Sequence, residues 1–161
     1  NRLWGVKLGK PTSNEANSSR WILAALSDFN GQLQARDIIR FLEKATDNAG
    51  KAVYEDRYLM PAEIRKAVSE CSMDKMSEIR DEIKALGPIF DKLEHAPEER
   101  KVLPFSGDTF NLTQAEEKIM KQEGYLKIDN ERYYLPEIIR HALKFKYEKG
   151  ARPKVLSLLL K

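Results

Sequence analysis

Thr113-Gln114-Ala115-Glu116-Glu117-Lys118-Ile119-Met120-Lys121-Gln122-Glu123-Gly124-Tyr125-Leu126-Lys127-Ile128-Asp129-Asn130-Glu131-Arg132-Tyr133-Tyr134-Leu135-Pro136 is the stretch on which the fold turns. Thr113 followed by Glu116 is a capping box, in which each side chain satisfies the other residue's free amide, so a helix starts here. Gly124 stops it. Tyr125 to Ile128 and Arg132 to Leu135 are short aromatic and aliphatic runs around the polar turn Asp129-Asn130-Glu131, which is a hairpin pattern. Helix, glycine and hairpin form the back half of a winged-helix unit. Helices over 73–86 and 88–94 are expected to form the front half. The alternative is an all-helical bundle with an incidental hairpin.

Upstream, apolar residues recur at helical spacing. Ser18 or Ser19 is expected to cap a helix carrying Trp21, Ile22, Ala25, Leu26 and Phe29, ended by Asn30-Gly31. A second helix spans about 34–46. Pro61 opens a third, with Ile64, Ala67, Val68 and Cys71 on one face. Ser72 or Asp74 is expected to open a fourth, with Met73, Met76, Ile79, Ile83 and Leu86, broken at Gly87-Pro88. That methionine-rich stripe suits core packing better than a docked partner helix. Residues 95–111 read as a loop. Pro136 opens a helix through Leu143, and 151–161 reads as a last helix. The class is therefore mainly α: a helical bundle, then a winged-helix-like unit with one small β-hairpin. Three parts are expected: 1–52, an irregular segment and a helix pair; 53–149, helices and the winged-helix-like unit; and 150–161, a C-terminal helix.

The chain has 161 residues, 42% hydrophobic and 33% charged, enough apolar content for a core. Its one cysteine, Cys71, excludes an intrachain disulfide and a Cys-based zinc site. Cys71 lies on an apolar stripe and is expected to be buried and inert. No apolar run reaches the roughly 20 residues of a membrane-spanning helix. With no apolar leader after Asn1, the chain is expected to be a segment of a longer cytoplasmic protein.

Net charge is +3, unevenly placed. Residues 55–100 hold 8 basic and 12 acidic side chains, whereas 125–161 hold 9 basic and 4 acidic. Arg140, Lys144, Lys146, Lys149, Arg152 and Lys154 form a basic tail. Such a tail can meet DNA phosphate, an acidic protein surface, the acidic middle of its own chain, or only solvent. In a winged helix the helix before the wing usually enters the major groove. Here Glu116, Glu117 and Glu123 outnumber Lys118 and Lys121, so nucleic-acid contact is expected instead from the wing (Lys127, Arg132) and the tail. Tyr125, Tyr133 and Tyr134 can stack bases, but hairpin packing explains them more simply.

Catalytic signals are sparse. Gly5-Val6-Lys7-Leu8-Gly9-Lys10-Pro11-Thr12 mimics a phosphate-binding loop. A true one has four residues between its glycines and Ser or Thr after the lysine; here there are three, and Pro11 follows. His95 and His141 lack metal-ligand spacing, and no carboxylate stands out as an acid or base.

Trp21-Ile22-Leu23-Ala24-Ala25-Leu26 followed by Gly31-Gln32-Leu33-Gln34-Ala35-Arg36-Asp37-Ile38-Ile39-Arg40-Phe41-Leu42 resembles the lid region of bacterial AAA-type and STAND-type P-loop ATPases. That family carries a Pro-Arg-Asp turn into a lid helix, and the arginine senses nucleotide state. The match falls on Arg36 and Asp37, with Ala35 in place of the proline. Tyr54-Glu55-Asp56-Arg57-Tyr58-Leu59-Met60-Pro61, leading into Ile64, Ala67 and Ser72, resembles the next helices of such proteins, which often end in a winged helix. The resemblance implies an upstream nucleotide-binding domain as partner, and ATP with Mg as ligands of the intact protein. The segment alone carries no Walker motif, so it is expected to be non-catalytic and to bind no cofactor itself. Independently of the family, an arginine at a helix start is rigidly held, always charged and able to grip phosphate through two N–H groups. Its alternative partner is a nearby carboxylate or solvent. Two other readings stay open: a free-standing winged-helix DNA-binding regulator, and a helical protein-interaction scaffold.

Overall fold

A computed structural model of the chain describes residues 2–9, 12, 17–50, 55–149 and 157–158. Helix α1 (Ser18–Leu26) buries Trp21, Ile22, Ala25 and Leu26, and its cap is Asn17, whose side chain accepts the Arg20 amide at 3.2 Å. It stops before Phe29. Ser27 Oγ donates back to the Leu23 carbonyl, and Asp28 Oδ1 accepts the amides of Asn30 (2.8 Å) and Gln32 (2.9 Å), so 28–32 folds as a loop. Helix α2 (Ala35–Asn48) turns Asp37, Phe41 and Ala45 inward.

The third and fourth expected helices are one, α3 (Pro61–Glu82), 22 residues long. Neither Ser72 nor Asp74 caps anything. Ser72 is buried and its Oγ accepts the Ala142 amide at 3.0 Å, while Asp74 faces Arg40 and Lys44. The stripe Ile64, Ala67, Val68, Cys71, Met76 and Ile79 runs through without interruption into the core, and Met73 is left 48% exposed. The break comes at Ile83, before Gly87-Pro88. A 3-10 turn over Lys84–Leu86 follows, and Gly87 and Pro88 form the first turn of α4 (Gly87–Glu94).

Two strands lie inside 95–111: β1 (Val102–Leu103) and β2 (Phe105–Ser106). Helix α5 (Gln114–Gln122) has the expected capping box, with Thr113 Oγ1 accepting the Glu116 amide at 3.2 Å and Glu116 Oε2 accepting the Thr113 amide at 2.7 Å. Gly124, at φ +76°, turns the chain out of it, a backbone conformation open chiefly to glycine. Strands β3 (Lys127–Asp129) and β4 (Arg132–Tyr134) pair antiparallel with Asp129 opposite Arg132. The turn is thus two residues, Asn130 and Glu131, both left-handed, as the twist of a tight hairpin demands. Strand β2 pairs with β4, giving the order β2-β4-β3. Helix α4, strand β2, helix α5 and the hairpin in that order make a winged-helix-like unit.

Helix α6 (Glu137–Arg140) is four residues long rather than reaching Leu143. Lys144 is left-handed (φ +61°), and the chain returns as β5 (Lys146–Tyr147), parallel to β1. One hydrophobic core runs from Leu8 to Phe145. Phe105, Phe110 and Phe145 meet in it with ring centroids 4.8–5.9 Å apart. Burying such a ring stabilises by about 1.5–3 kcal/mol. Of the expected helix 151–161 only Ser157 and Leu158 are described; they are helical, and Leu158 packs beside Tyr134. No helix among the described residues is long and apolar enough to cross a membrane.

Candidate functional site

Arg36 stands in the first turn of α2, after Gln34 ends the 28–34 connection. Its Nη2 donates to Gln34 Oε1 at 3.1 Å and lies 3.0 Å from Glu78 Oε2 and 3.4 Å from Glu82 Oε1. All these contacts run through Nη2, and the side chain is 52% exposed. Below it Arg40 bonds Glu78 Oε1 and lies 3.4 Å from Asp37 and 3.6 Å from Asp74, and Lys44 reaches Asp74 at 3.4 Å. Burial pushes the Glu78 carboxyl up, but the Arg40 hydrogen bond and the Arg40 and Arg36 charges bring it below its ordinary value. Behind this ladder, Lys75 is buried and donates to Asp37 Oδ2 (2.9 Å) and Gln34 Oε1 (2.8 Å). One and two turns past Arg36, Ile39 and Leu42 are exposed on an open groove with Glu43, Thr46 and Asp47.

The loop between α1 and α2 is fastened to the end of α5. The Phe29 amide donates to the Gly124 carbonyl at 2.9 Å, and Asn30 Nδ2 donates to the Gln122 carbonyl at 2.8 Å. A Cβ on Gly124 would stand 2.9 Å from Asp28 Cγ and 3.1 Å from Asn30 Nδ2, so this approach also requires glycine. Burial raises the Asp28 carboxyl, against the two amides that hold it charged. A cavity of about 40 Å³ lies behind the loop, lined by Asp28, Gln32, Gln34, Asp37, Lys75 and Tyr125 among others. The α1–α2 pair that carries Arg36 is therefore joined directly to the winged-helix-like unit.

The basic tail is not one surface. Arg140, expected as a contact residue, is buried. It grips Glu137 (Nε–Oε1 3.1 Å, Nη2–Oε2 2.9 Å), donates to the Phe145 carbonyl at 2.7 Å and lies 4.6 Å from the centre of the Tyr147 ring. Its helix is buried at every residue, and the guanidinium meets a carboxylate there with little exposure to solvent. Tyr147 also donates to Glu137, and His141 Nε2 lies 3.2 Å from it. Burial pushes the Glu137 carboxyl up; the His141 contact, the Arg140 charge and the Arg140 and Tyr147 hydrogen bonds outweigh it and hold the group down to about 2. Lys144, Lys146 and Lys149 are exposed, Lys146 lying 3.7 Å from Glu98. Arg132 donates to the Pro104 carbonyl at 2.9 Å and lies 3.3 Å from Glu148. Lys127 donates to the Leu158 carbonyl at 3.0 Å. Arg152 and Lys154 lie outside the described residues.

In the described part of the phosphate-loop mimic the polarity is the opposite of what phosphate needs: Arg57 fills the space over Gly5 and takes the carbonyls of Lys7 (3.0 Å) and Gly9 (3.2 Å), while Lys10 and Pro11 lie outside the described residues. Cys71 is buried, its thiol pushed up to about 12 by burial. Tyr125 and Tyr134 are buried. Tyr133 packs on Phe105 and donates to Glu117 at 2.7 Å, a bond that leads its pKa up to about 12. No cluster of metal-ligating side chains occurs among the described residues.

Sequence reading missed the Asp28–Gly124 fastening, because nothing local links positions more than ninety residues apart. The Glu137, Arg140 and His141 spacing at i, i+3 and i+4 was a usable sign of the buried cluster. Compared with family models, with curated proteins and with solved structures, the chain finds no match.

Proposed function

We propose that this chain is the non-catalytic lid and winged-helix portion of a P-loop ATPase, coupling nucleotide state to a partner of the winged-helix unit. The observation that carries the reading is the fastening of the Arg36-bearing helix pair to α5 through Phe29, Asn30 and Gly124. A sensor must be able to change partners and must be connected to what it moves. Arg36 meets the first need, since exposed ion pairs contribute only about 0–1 kcal/mol and a phosphate can displace them. The loop meets the second. Exposed Ile39 and Leu42 beside Arg36 suit the surface that a nucleotide-binding domain would cover. ATP and Mg belong to that domain, and this segment would supply one guanidinium to the bound phosphates.

In the intact protein, Arg36→Ala should weaken ATP binding or turnover by about 10- to 100-fold, the worth of a charged hydrogen bond at ~1.5–3 kcal/mol. Arg36→Lys should restore only part, because an ammonium lacks the planar fork. Unchanged ATP handling in both variants would overturn the reading.

A further inference from the structure

We infer that the outward face of α2 binds a second copy of this chain, the two helices lying antiparallel about a two-fold axis. The inference does not rest on the nucleotide reading, since it uses the charges of the face itself. A nucleotide-binding domain seated on the same face would displace the second copy.

Arg36, Ile39, Leu42, Glu43, Thr46 and Asp47 are exposed on α2. They fall at i, i+3, i+6, i+7, i+10 and i+11, which is one side of a helix. The buried residues Asp37, Phe41 and Ala45 take the other side. Ile39 is 59% and Leu42 37% exposed, on an open groove of about 530 Å³. An exposed leucine alone means little. The charges around the pair say what covers it.

Most charges of α2 are spent within the chain. Arg40 and Lys44 turn to Glu78 and Asp74 on α3, and Asp37 meets Lys75. The outward side keeps Arg36 near its start and Glu43 and Asp47 toward its end. Arg36 meets its own carboxylates through Nη2, leaving Nη1 and Nε to donate elsewhere. Glu43 and Asp47 have no ion-pair partner among the described residues. Asp47 also stands at the negative end of the helix dipole, and the last turn has no base to offset it. A cation supplied from outside suits that end.

A face that is positive at its start, apolar in its middle and negative at its end fits itself when turned end for end. With the axis near position 41, Arg36 of one copy comes opposite Thr46 and Asp47 of the other, about 16 Å along the helix from its own counterpart end. Ile39 and Leu42 of the two copies then close on each other. The two-fold symmetry satisfies both ends at once. A parallel copy would set like charges together. One helix side is a small contact, below about 1,200 Å² in total, so the dimer should be weak and reversible, with a Kd of about 10–500 μM.

The test is sedimentation equilibrium of the 161-residue chain without nucleotide, from about 10 μM to 1 mM, where the mass should rise from one chain toward two. Leu42→Lys should weaken association at least about tenfold, since it sets two cations near the axis. Arg36→Glu alone, and Glu43→Lys/Asp47→Lys alone, should each do the same, because each makes both ends of its own pair alike in charge. Mixed one to one, those two variants should associate at least about tenfold more tightly than either does alone, since one face is then acidic throughout and the other basic throughout. Circular dichroism checks that each variant is folded. If Arg36→Glu is disturbed by Glu78 and Glu82, Arg36→Ala takes its place and should weaken self-association about threefold. Three results would overturn the inference: a single-chain mass up to about 1 mM, which would leave the face to a different protein; association that Leu42→Lys does not weaken; or a mixture no tighter than its components. The nucleotide reading is tested apart, by ATP binding of Arg36→Ala in the intact protein, and none of these three results bears on it.

Discussion

Arg36 and Arg140 are both arginines facing carboxylates, Arg36 across a helix interface on α3 and Arg140 one turn back on its own helix, and their surroundings are opposite. Arg140 is buried, with Glu137, the Phe145 carbonyl, His141 and the Tyr147 ring around it. Arg36 is half exposed and meets Glu78 and Glu82 through one nitrogen. Burial makes the difference. A buried charge cannot be left alone, so its partners are fixed by the fold. An exposed charge trades partners at little cost, so its contacts can be altered by a ligand. The resemblance singled out Arg36 and the basic tail singled out Arg140; the fold buries Arg140 among fixed partners and leaves Arg36 half exposed.

The comparison breaks first at Glu137. Glu137→Ala strands the Arg140 charge inside and should cost roughly 3–5 kcal/mol in denaturant unfolding. Arg36→Ala should cost less than about 1 kcal/mol in the same measurement. Equal losses would erase the distinction. The pH dependence carries the same sign. The Glu137 carboxyl is depressed in the fold, so its contribution is complete above the unfolded value of about 4.3 and drains away as the pH falls toward 2. Glu137→Gln should flatten the acid limb of stability over that window.

Gly124→Ala tests the other region, where the helix pair meets α5. It forces a side chain into the left-handed region and against Asp28 and Asn30. The expected loss is about 1–3 kcal/mol in thermal or denaturant unfolding. A neutral outcome would mean that the loop and α5 are not held together as drawn.

How much was legible beforehand depended on locality. The capping box at Thr113, the glycine stop and the hairpin are written in adjacent residues, and all appear in the fold. The short strands β1 and β2 carry two residues each, too few for any periodicity, and were hidden in a stretch that reads as loop. The division of α3 at Ser72 failed because a serine that caps in isolation can instead serve a distant amide, here Ala142. Arg36 was legible as a helix-start arginine, but its carboxylate partners on α3 were not. The surroundings of α5 were hidden for a similar reason: Glu116 meets Lys92 and Glu117 accepts the Tyr133 hydroxyl, both from residues outside the helix.

Coupling between Arg36 and α5 is the central claim, and amide hydrogen exchange at Phe29 reads it directly, because that amide bonds Gly124 across the joint. In the intact protein, adding a non-hydrolysable ATP analogue with Mg should change Phe29 exchange by about tenfold, a shift of ~1.4 kcal/mol in local opening, and Arg36→Ala should abolish the change. Phe29 exchange that ignores nucleotide, while the nucleotide demonstrably binds, would contradict the account.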